Sequence, residues 1–250
     1  MEAVQDSVAH PAIGVYLVDK PAGASSFAMV RRMRRLLGIK KIGHAGTLDP
    51  FATGLLVICA GREATRHISS FMEGRKTYTA RLQLGVETET QDPEGGITLT
   101  RPVQGIDLQA IRACLEPMLG EQLQIPPAFS ALKHQGRPLY YYARQGIQIS
   151  KPARPVQIYS LTAENYRADC QQVDIRVTCS RGTYVRVLAA DIGNALGCGA
   201  HLIALRRTAS GLFQVEDAVD GRFLFEETGA DALLAARISV KEALAKVAAG

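Results

Sequence analysis

The sequence predicts an α+β protein with antiparallel strands, and three observations carry that prediction. Short apolar or alternating runs, such as AIGVYLVDK at 12–20 and the stretch opening at Lys76, have the length and period of strands. SSFAMVRRMRRLLGIKK, from Ser25 onward, has apolar residues at helical spacing. The Asp92–Gly96 turn follows an alternating strand and returns the chain on itself. No GxGxxG follows the first strand and no Walker lysine motif occurs, which removes the sequence support for dinucleotide and P-loop folds.

In order along the chain, residues 12–20 read as a buried strand and Pro21-Ala22-Gly23 as a turn. Ser25 or Ser26 can cap the next helix, in which Phe27, Val30, Met33 and Leu37 form the apolar stripe and Gly38 the stop. Arg31, Arg32 and Arg35 give that helix a basic flank, read either as a phosphate-binding face or as a solvated one. GHAGTLDPFATGLLVICAGRE, residues 43–63, is a glycine-bracketed polar loop running into a buried strand, with Asp49 its one carboxylate before the strand. A helix is expected near Asp107–Leu119. In residues 124–146, prolines and glycines break regular structure while Lys133, His134, Arg137 and Arg144 interleave with Phe129 and three tyrosines. That composition suits an RNA-facing arm, because aromatic faces stack on bases and cationic groups bind phosphates. A strand at VDIRVTC, a turn at Arg181-Gly182 and a helix with Thr183 as a possible cap complete residues 173–198. LRRTASGLF reads as a final strand, followed by one or two helices.

The chain has 250 residues, a net charge of +5, 47% hydrophobic and 21% charged residues, the balance of an ordinary folded protein. Seven acids against four bases from Val215 onward give that part −3 and leave +8 on residues 1–214, a field attractive to a polyanion. No apolar run approaches the ~20 residues of a membrane span. The opening MEAVQDSVAH lacks a basic-then-apolar signal, so a cytoplasmic location is expected. Five cysteines without a CxxC pair read as reduced thiols, with no ligand set for structural zinc.

Several segments together resemble the TruB family, the bacterial tRNA pseudouridine-55 synthases: DKPAGASS at 19–26, GHAGTLDPFATGLL at 43–56, ARLQLG within 76–85, SALKHQGRPLYYYARQG at 130–146, RGTYVRVLAADIG at 181–193 and GAHLIALRRTASGLF at 199–213. The resemblance is collinear over residues 12–213. It implies a pseudouridine synthase fold, a mixed, largely antiparallel sheet with flanking helices and a central catalytic cleft. The implied substrate is a T-loop uridine of tRNA, isomerised without metal or organic cofactor. The resemblance maps the catalytic aspartate onto Asp49 and a histidine that helps hold the flipped-out RNA onto His44. It maps a base-packing tyrosine onto Tyr78, a further pocket residue onto Tyr184, and an arginine that pairs with the aspartate onto Arg186. Leu205 falls in the stretch that closes the cleft, and Lys20 and Pro21 match a motif that supports the active-site loops. Residues 124–146 match an RNA-gripping insertion, and 214–250 are expected to be a short helical extension and not a complete PUA domain. A stand-alone monomer is implied, without guide RNA, obligate protein partner or membrane. The competing readings are a tRNA-binding or folding chaperone without catalysis, and an N-glycosidase that would release free uracil.

Overall fold

The computed structural model describes residues 11–226 and 229–249. It divides into two compact units: one runs to Glu73 and resumes at Gly211, and the other is Gly74–Ser210. No linker composition marks either crossing.

The first unit opens with β1 (Gly14–Lys20) and α1 (Ser26–Leu37). β2 (Ile42–Ala45), β3 (Thr53–Ala60) and the short helices α2 (Arg62–Thr65) and α3 (Ile68–Met72) follow. β1 and β2 both pair antiparallel with β3. β1 and β3 are buried along nearly their whole length because both of their faces are covered, which explains why they read as unbroken apolar runs. Tyr16, Val18, Leu56 and Ile58 point to one side, where Met29, Val30, Met33 and Leu37 of α1 meet them. Val15, Leu17, Leu55 and Val57 point to the other, against Phe71 and Phe213.

α1 starts on Ser25, whose side chain accepts from the Ala28 amide, and stops at Gly38 in the left-handed region. Its buried stripe is Ser26, Met29, Val30, Met33 and Leu37. Phe27, expected in the stripe, lies off it and is 57% exposed, with the Arg34 guanidinium over its ring.

The second unit contains β4 (Lys76–Leu84), β5 (Val86–Thr88), β6 (Ile97–Thr100), α4 (Leu108–Leu115) and β7 (Gly120–Gln124). It continues through β8 (Lys133–His134), β9 (Arg137–Pro138), α5 (Leu139–Ala143), β10 (Arg154–Arg167), β11 (Gln172–Cys179), α6 (Val185–Ala195) and β12 (Ala200–Ser210). Its main sheet has the order β12-β4-β11-β10-β7 and is antiparallel throughout. Alternate residues of β4, β10 and β11 are buried, and α4 and α6 pack on the sheet. α6 approaches so closely that a Cβ on Gly193 would lie 2.1 Å from the Ala200 nitrogen. The Asp92–Gly96 turn returns β6 onto β5, as its sequence suggests.

The chain then rejoins the first unit through β13 (Phe213–Gln214), β14 (Val219–Asp220), α7 (Gly229–Ala235) and α8 (Val240–Ala248). β14 runs parallel to β1, which makes this sheet mixed. Leu233 of α7 enters the α1 side of the core and Ala243 of α8 the opposite side. Residues beyond Phe213 are therefore part of this unit's core. All five cysteines are unpaired by disulfides, and burial pushes the Cys59 thiol up to about 12 and Cys179 to about 11. No helix among the described residues is long and apolar enough to cross a membrane.

Candidate active site

Asp49 lies in the loop between β2 and β3 and is half-buried. The loop is flanked by glycines the backbone requires: Gly46 and Gly54 have φ of 96° and 100°, which side-chain-bearing residues rarely adopt. Its hydrogen bonds go to neighbours on both sides. Ser26 Oγ accepts from the Leu48 amide at 2.8 Å and donates to the Leu48 carbonyl at 2.9 Å, while the Ala52 amide donates to the Asp49 carbonyl at 3.2 Å. The Gly23 amide donates to the Pro50 carbonyl at 2.8 Å. Lys20, fully buried at the end of β1, donates Nζ to the carbonyls of Pro21 (2.9 Å), Ala24 (2.6 Å) and Pro50 (3.1 Å). A buried ammonium is tolerable only with such partners. The Lys20-Pro21 turn is thus bonded to the residue that follows Asp49. His44 stands on β2 opposite Ile58.

The second unit carries the remaining pocket residues assigned by resemblance. Tyr78 lies on β4, 8% exposed, in register with Val177 of β11 and Arg207 of β12. Leu205 is buried on β12 opposite Ala80. Tyr184 is the N-cap of α6 and Arg186 lies in its first turn. Thr183 is not the cap, because its hydroxyl donates instead to the Ser180 carbonyl at 2.9 Å. Arg186 is 2% exposed and its guanidinium donates to the carbonyls of Thr90 (2.7 Å) and Phe129 (2.8 Å), with Nε 3.5 Å from Asp92 Oδ2. Asp92 is itself buried, accepting from the Thr90 hydroxyl and, at 3.0 Å, from the Glu94 amide. The sequence shows Asp92 only as a turn residue; its pairing with an arginine at 186 leaves no local signal. Among the described residues no group of three or more His, Cys, Asp or Glu is placed to hold a metal ion.

The arm carries most of the candidate RNA-binding side chains. Lys133 and His134 on β8 face Arg137 and Pro138 on β9 across a tight turn with Gln135 and Gly136 both at positive φ. The triple tyrosine forms α5, whose one buried residue is Leu139. Tyr140 and Tyr141 are exposed, with Arg144 over the first ring at 5.4 Å and Arg137 over the second at 4.5 Å. Lys133, Arg137 and Arg144 are exposed, whereas His134 is half-buried, its Nδ1 3.2 Å from Lys151 Nζ. On α1, Arg31 and Arg35 are exposed. Arg32 is occupied within the fold, donating Nε to the Leu224 carbonyl with its guanidinium over the Phe225 ring.

Comparison with known proteins places these features in a family. Residues 34–185 match the N-terminal domain model of the TruB family pseudouridylate synthases, and residues 186–239 match a tRNA pseudouridylate synthase B C-terminal domain model. The chain is 57% identical over 209 residues to a tRNA pseudouridine synthase B of Desulfotalea psychrophila, covering 82% of this chain and 85% of the relative. It is 52% identical over 205 residues to one of Thiobacillus denitrificans, covering 82% of this chain and 67% of the relative. Among solved structures, a chain in a Cbf5-Nop10-Gar1 complex matches with a TM-score of 0.70 and 27% identity, over 95% of this chain and 63% of that one. The fold is that of the pseudouridine synthases, and the chain belongs to the bacterial TruB family.

Proposed function

We propose that this chain isomerises uridine to pseudouridine at position 55, in the T-loop of tRNA, with Asp49 as the essential carboxylate. The observation that carries the reading is how the Asp49 loop is held: Leu48 on one side and Pro50 on the other are each fixed by a buried side chain, Ser26 and Lys20. A loop tied on both sides of one half-buried carboxylate is preorganised for chemistry at that carboxylate.

The reaction breaks N1–C1′, turns the uracil while it stays enclosed, and forms C5–C1′; the C5 hydrogen leaves as a proton and N1 takes one up, so uridine and product are isomers, with no net redox change and no hydrolysis. One carboxylate serves each available route: attack on the uracil ring, attack on C1′, or abstraction of a ribose proton leading to a glycal-like species. All three ask the same of the protein. The target nucleotide must leave the loop stack, because its reacting atoms are out of reach within it. The detached base must be retained, which the resemblance assigns to Tyr78 with Tyr184 and Leu205, and the carboxylate kept ionised and aimed, which it assigns to Arg186. His44 then helps hold the flipped nucleotide. Lys133, Arg137 and Arg144 of the arm and the exposed Arg31 and Arg35 suit the phosphates of the T stem-loop, with the exposed tyrosines beside them. The chain acts in this reading as a stand-alone monomer in the cytoplasm, without a guide RNA.

The test maps pseudouridine at nucleotide resolution in unmodified tRNA after incubation with wild type or Asp49→Asn. The reading expects a single modified T-loop uridine with wild type and none with the variant, whose tRNA affinity stays within a few-fold. Tight binding with every uridine unchanged in both would mark a tRNA-binding protein without catalysis.

A further inference from the structure

The root of the arm is joined to the turn that carries Tyr184 and Arg186. Gln124, the last residue of β7, is 6% exposed, and its carboxamide engages the backbone of Tyr184 with both ends. Its Oε1 accepts from the Tyr184 amide at 2.7 Å and its Nε2 donates to the Tyr184 carbonyl at 3.1 Å. Farther along the arm, the Phe129 carbonyl accepts from Arg186 at 2.8 Å.

Tyr184 is a poor N-cap by its own chemistry. Its side chain makes no cap hydrogen bond, and the neighbouring Thr183 hydroxyl is committed to Ser180. The geometry at which α6 departs is therefore fixed by a tertiary contact, Gln124, where most helices use a local one. The neutral carboxamide meets the demand in full, since one end accepts from an N–H and the other donates to a carbonyl, whereas a leucine side chain does neither and a carboxylate only accepts. We infer that Gln124 is a positioning residue for pseudouridine formation, acting through Tyr184 and Arg186 to hold the first turn of α6 in register with the arm. The inference rests on the proposed function, in which those two residues shape the uracil pocket.

The experiment measures single-turnover pseudouridine formation at saturating enzyme on unmodified tRNA, tRNA Kd and the thermal unfolding midpoint. Gln124→Leu keeps the volume and removes both hydrogen bonds. Its saturating rate is expected to fall about tenfold or more, as small misplacements of a reacting group do, with Kd within about twofold of wild type and the protein folded at the assay temperature. Gln124→Glu keeps the acceptor but presents an anionic oxygen to the Tyr184 carbonyl until the carboxyl is protonated and can donate. Its rate relative to wild type is expected to recover as pH falls from about 8 to about 5.5, a range reached because burial raises carboxyl pKa values. A folded Gln124→Leu with a saturating rate within twofold of wild type overturns the inference. So does a defect confined to Kd, which would place the carboxamide in RNA binding. If Gln124→Leu does not fold, a Gln124→Glu rate ratio that stays flat across the pH range overturns it. Wild type that makes no pseudouridine overturns the proposed function instead, so the two failures are distinguishable.

Discussion

Ser26 and Leu48 hold each other through one oxygen: the serine hydroxyl accepts from the Leu48 amide and donates to the Leu48 carbonyl, at 2.8 and 2.9 Å. Both residues are buried, and Leu48 directly precedes Asp49. The first turn of α1 is in this way the floor on which the Asp49 loop is set.

Ser26→Ala removes both bonds and strands a buried N–H and C=O at Leu48. The expected loss of stability is about 1–3 kcal/mol, with a lower pseudouridine-forming rate because the loop gains freedom. Ser25→Ala, one residue away, removes only the helix cap and is expected to cost about 1 kcal/mol with little change in rate. Denaturant unfolding and single-turnover assays of the pair separate the two serines.

The Asp92 carboxylate faces a buried Arg186 that also serves two carbonyls. Asp92→Asn keeps the shape and removes the charge. Breaking one partner of a buried ion pair typically costs about 3–5 kcal/mol, and with an Nε–Oδ2 separation of 3.5 Å the low end is expected. Pseudouridine formation should fall with it at a temperature where the variant remains folded. A variant matching wild type in both melting temperature and rate would contradict this role for the pair.

Acid sensitivity should appear at a surface cluster. Asp174 on β11 accepts from Arg167 at 2.8 and 3.1 Å and from Arg81 at 2.6 Å. The hydrogen bonds from Arg167, assisted by those from Arg81, lower its carboxyl to about 2. A carboxyl depressed in the folded state binds fewer protons there than in the unfolded chain. Its stabilising contribution is therefore complete above about pH 4 and lost as pH falls towards 2. Because the cluster is partly solvent-exposed, the contribution is about 1 kcal/mol and not the larger figure the full shift would give. Asp174→Asn is expected to lose that amount at pH 7, and the gap to wild type should close between pH 4 and pH 2 in urea titrations.

The arginines of α1 divide by their bonding. Replacing Arg31 and Arg35 with glutamine should weaken tRNA binding and flatten its dependence on salt, by about one unit of slope for each phosphate no longer neutralised. Arg32→Gln should instead lower stability, since its guanidinium is bound to the Leu224 carbonyl and Phe225 ring. Filter binding over a salt series, beside thermal unfolding, checks both.

Features set by residues close together along the chain are legible in the sequence. The ends of α1, the buried β1 and β3, and the polar loop around Asp49 follow from caps, glycines and apolar periodicity within a dozen residues or so. Phe27 departs from the stripe its spacing suggests because Ser26, one position earlier, turns inward to bond Leu48. Thr183 has the residue type of a cap, but a nearer acceptor, the Ser180 carbonyl, takes its hydroxyl. Arg186 and the Thr90 carbonyl are 96 residues apart, and Gln124 and Tyr184 are 60 apart. Such pairs are brought together by sheet order, which no local pattern encodes. The two-unit division is equally hidden, because the chain passes from Glu73 to Gly74 and from Ser210 to Gly211 without a linker.

The most direct measurement follows tritium from C5 of uridine in an unmodified tRNA, comparing wild type with Asp49→Ala and identifying the product nucleotide. Asp49 as the essential carboxylate of a pseudouridine synthase requires release of tritium to water by wild type alone, with pseudouridine at the T-loop uridine and no free uracil. Release by Asp49→Ala at a rate within about tenfold of wild type, or free uracil in place of pseudouridine, would contradict it.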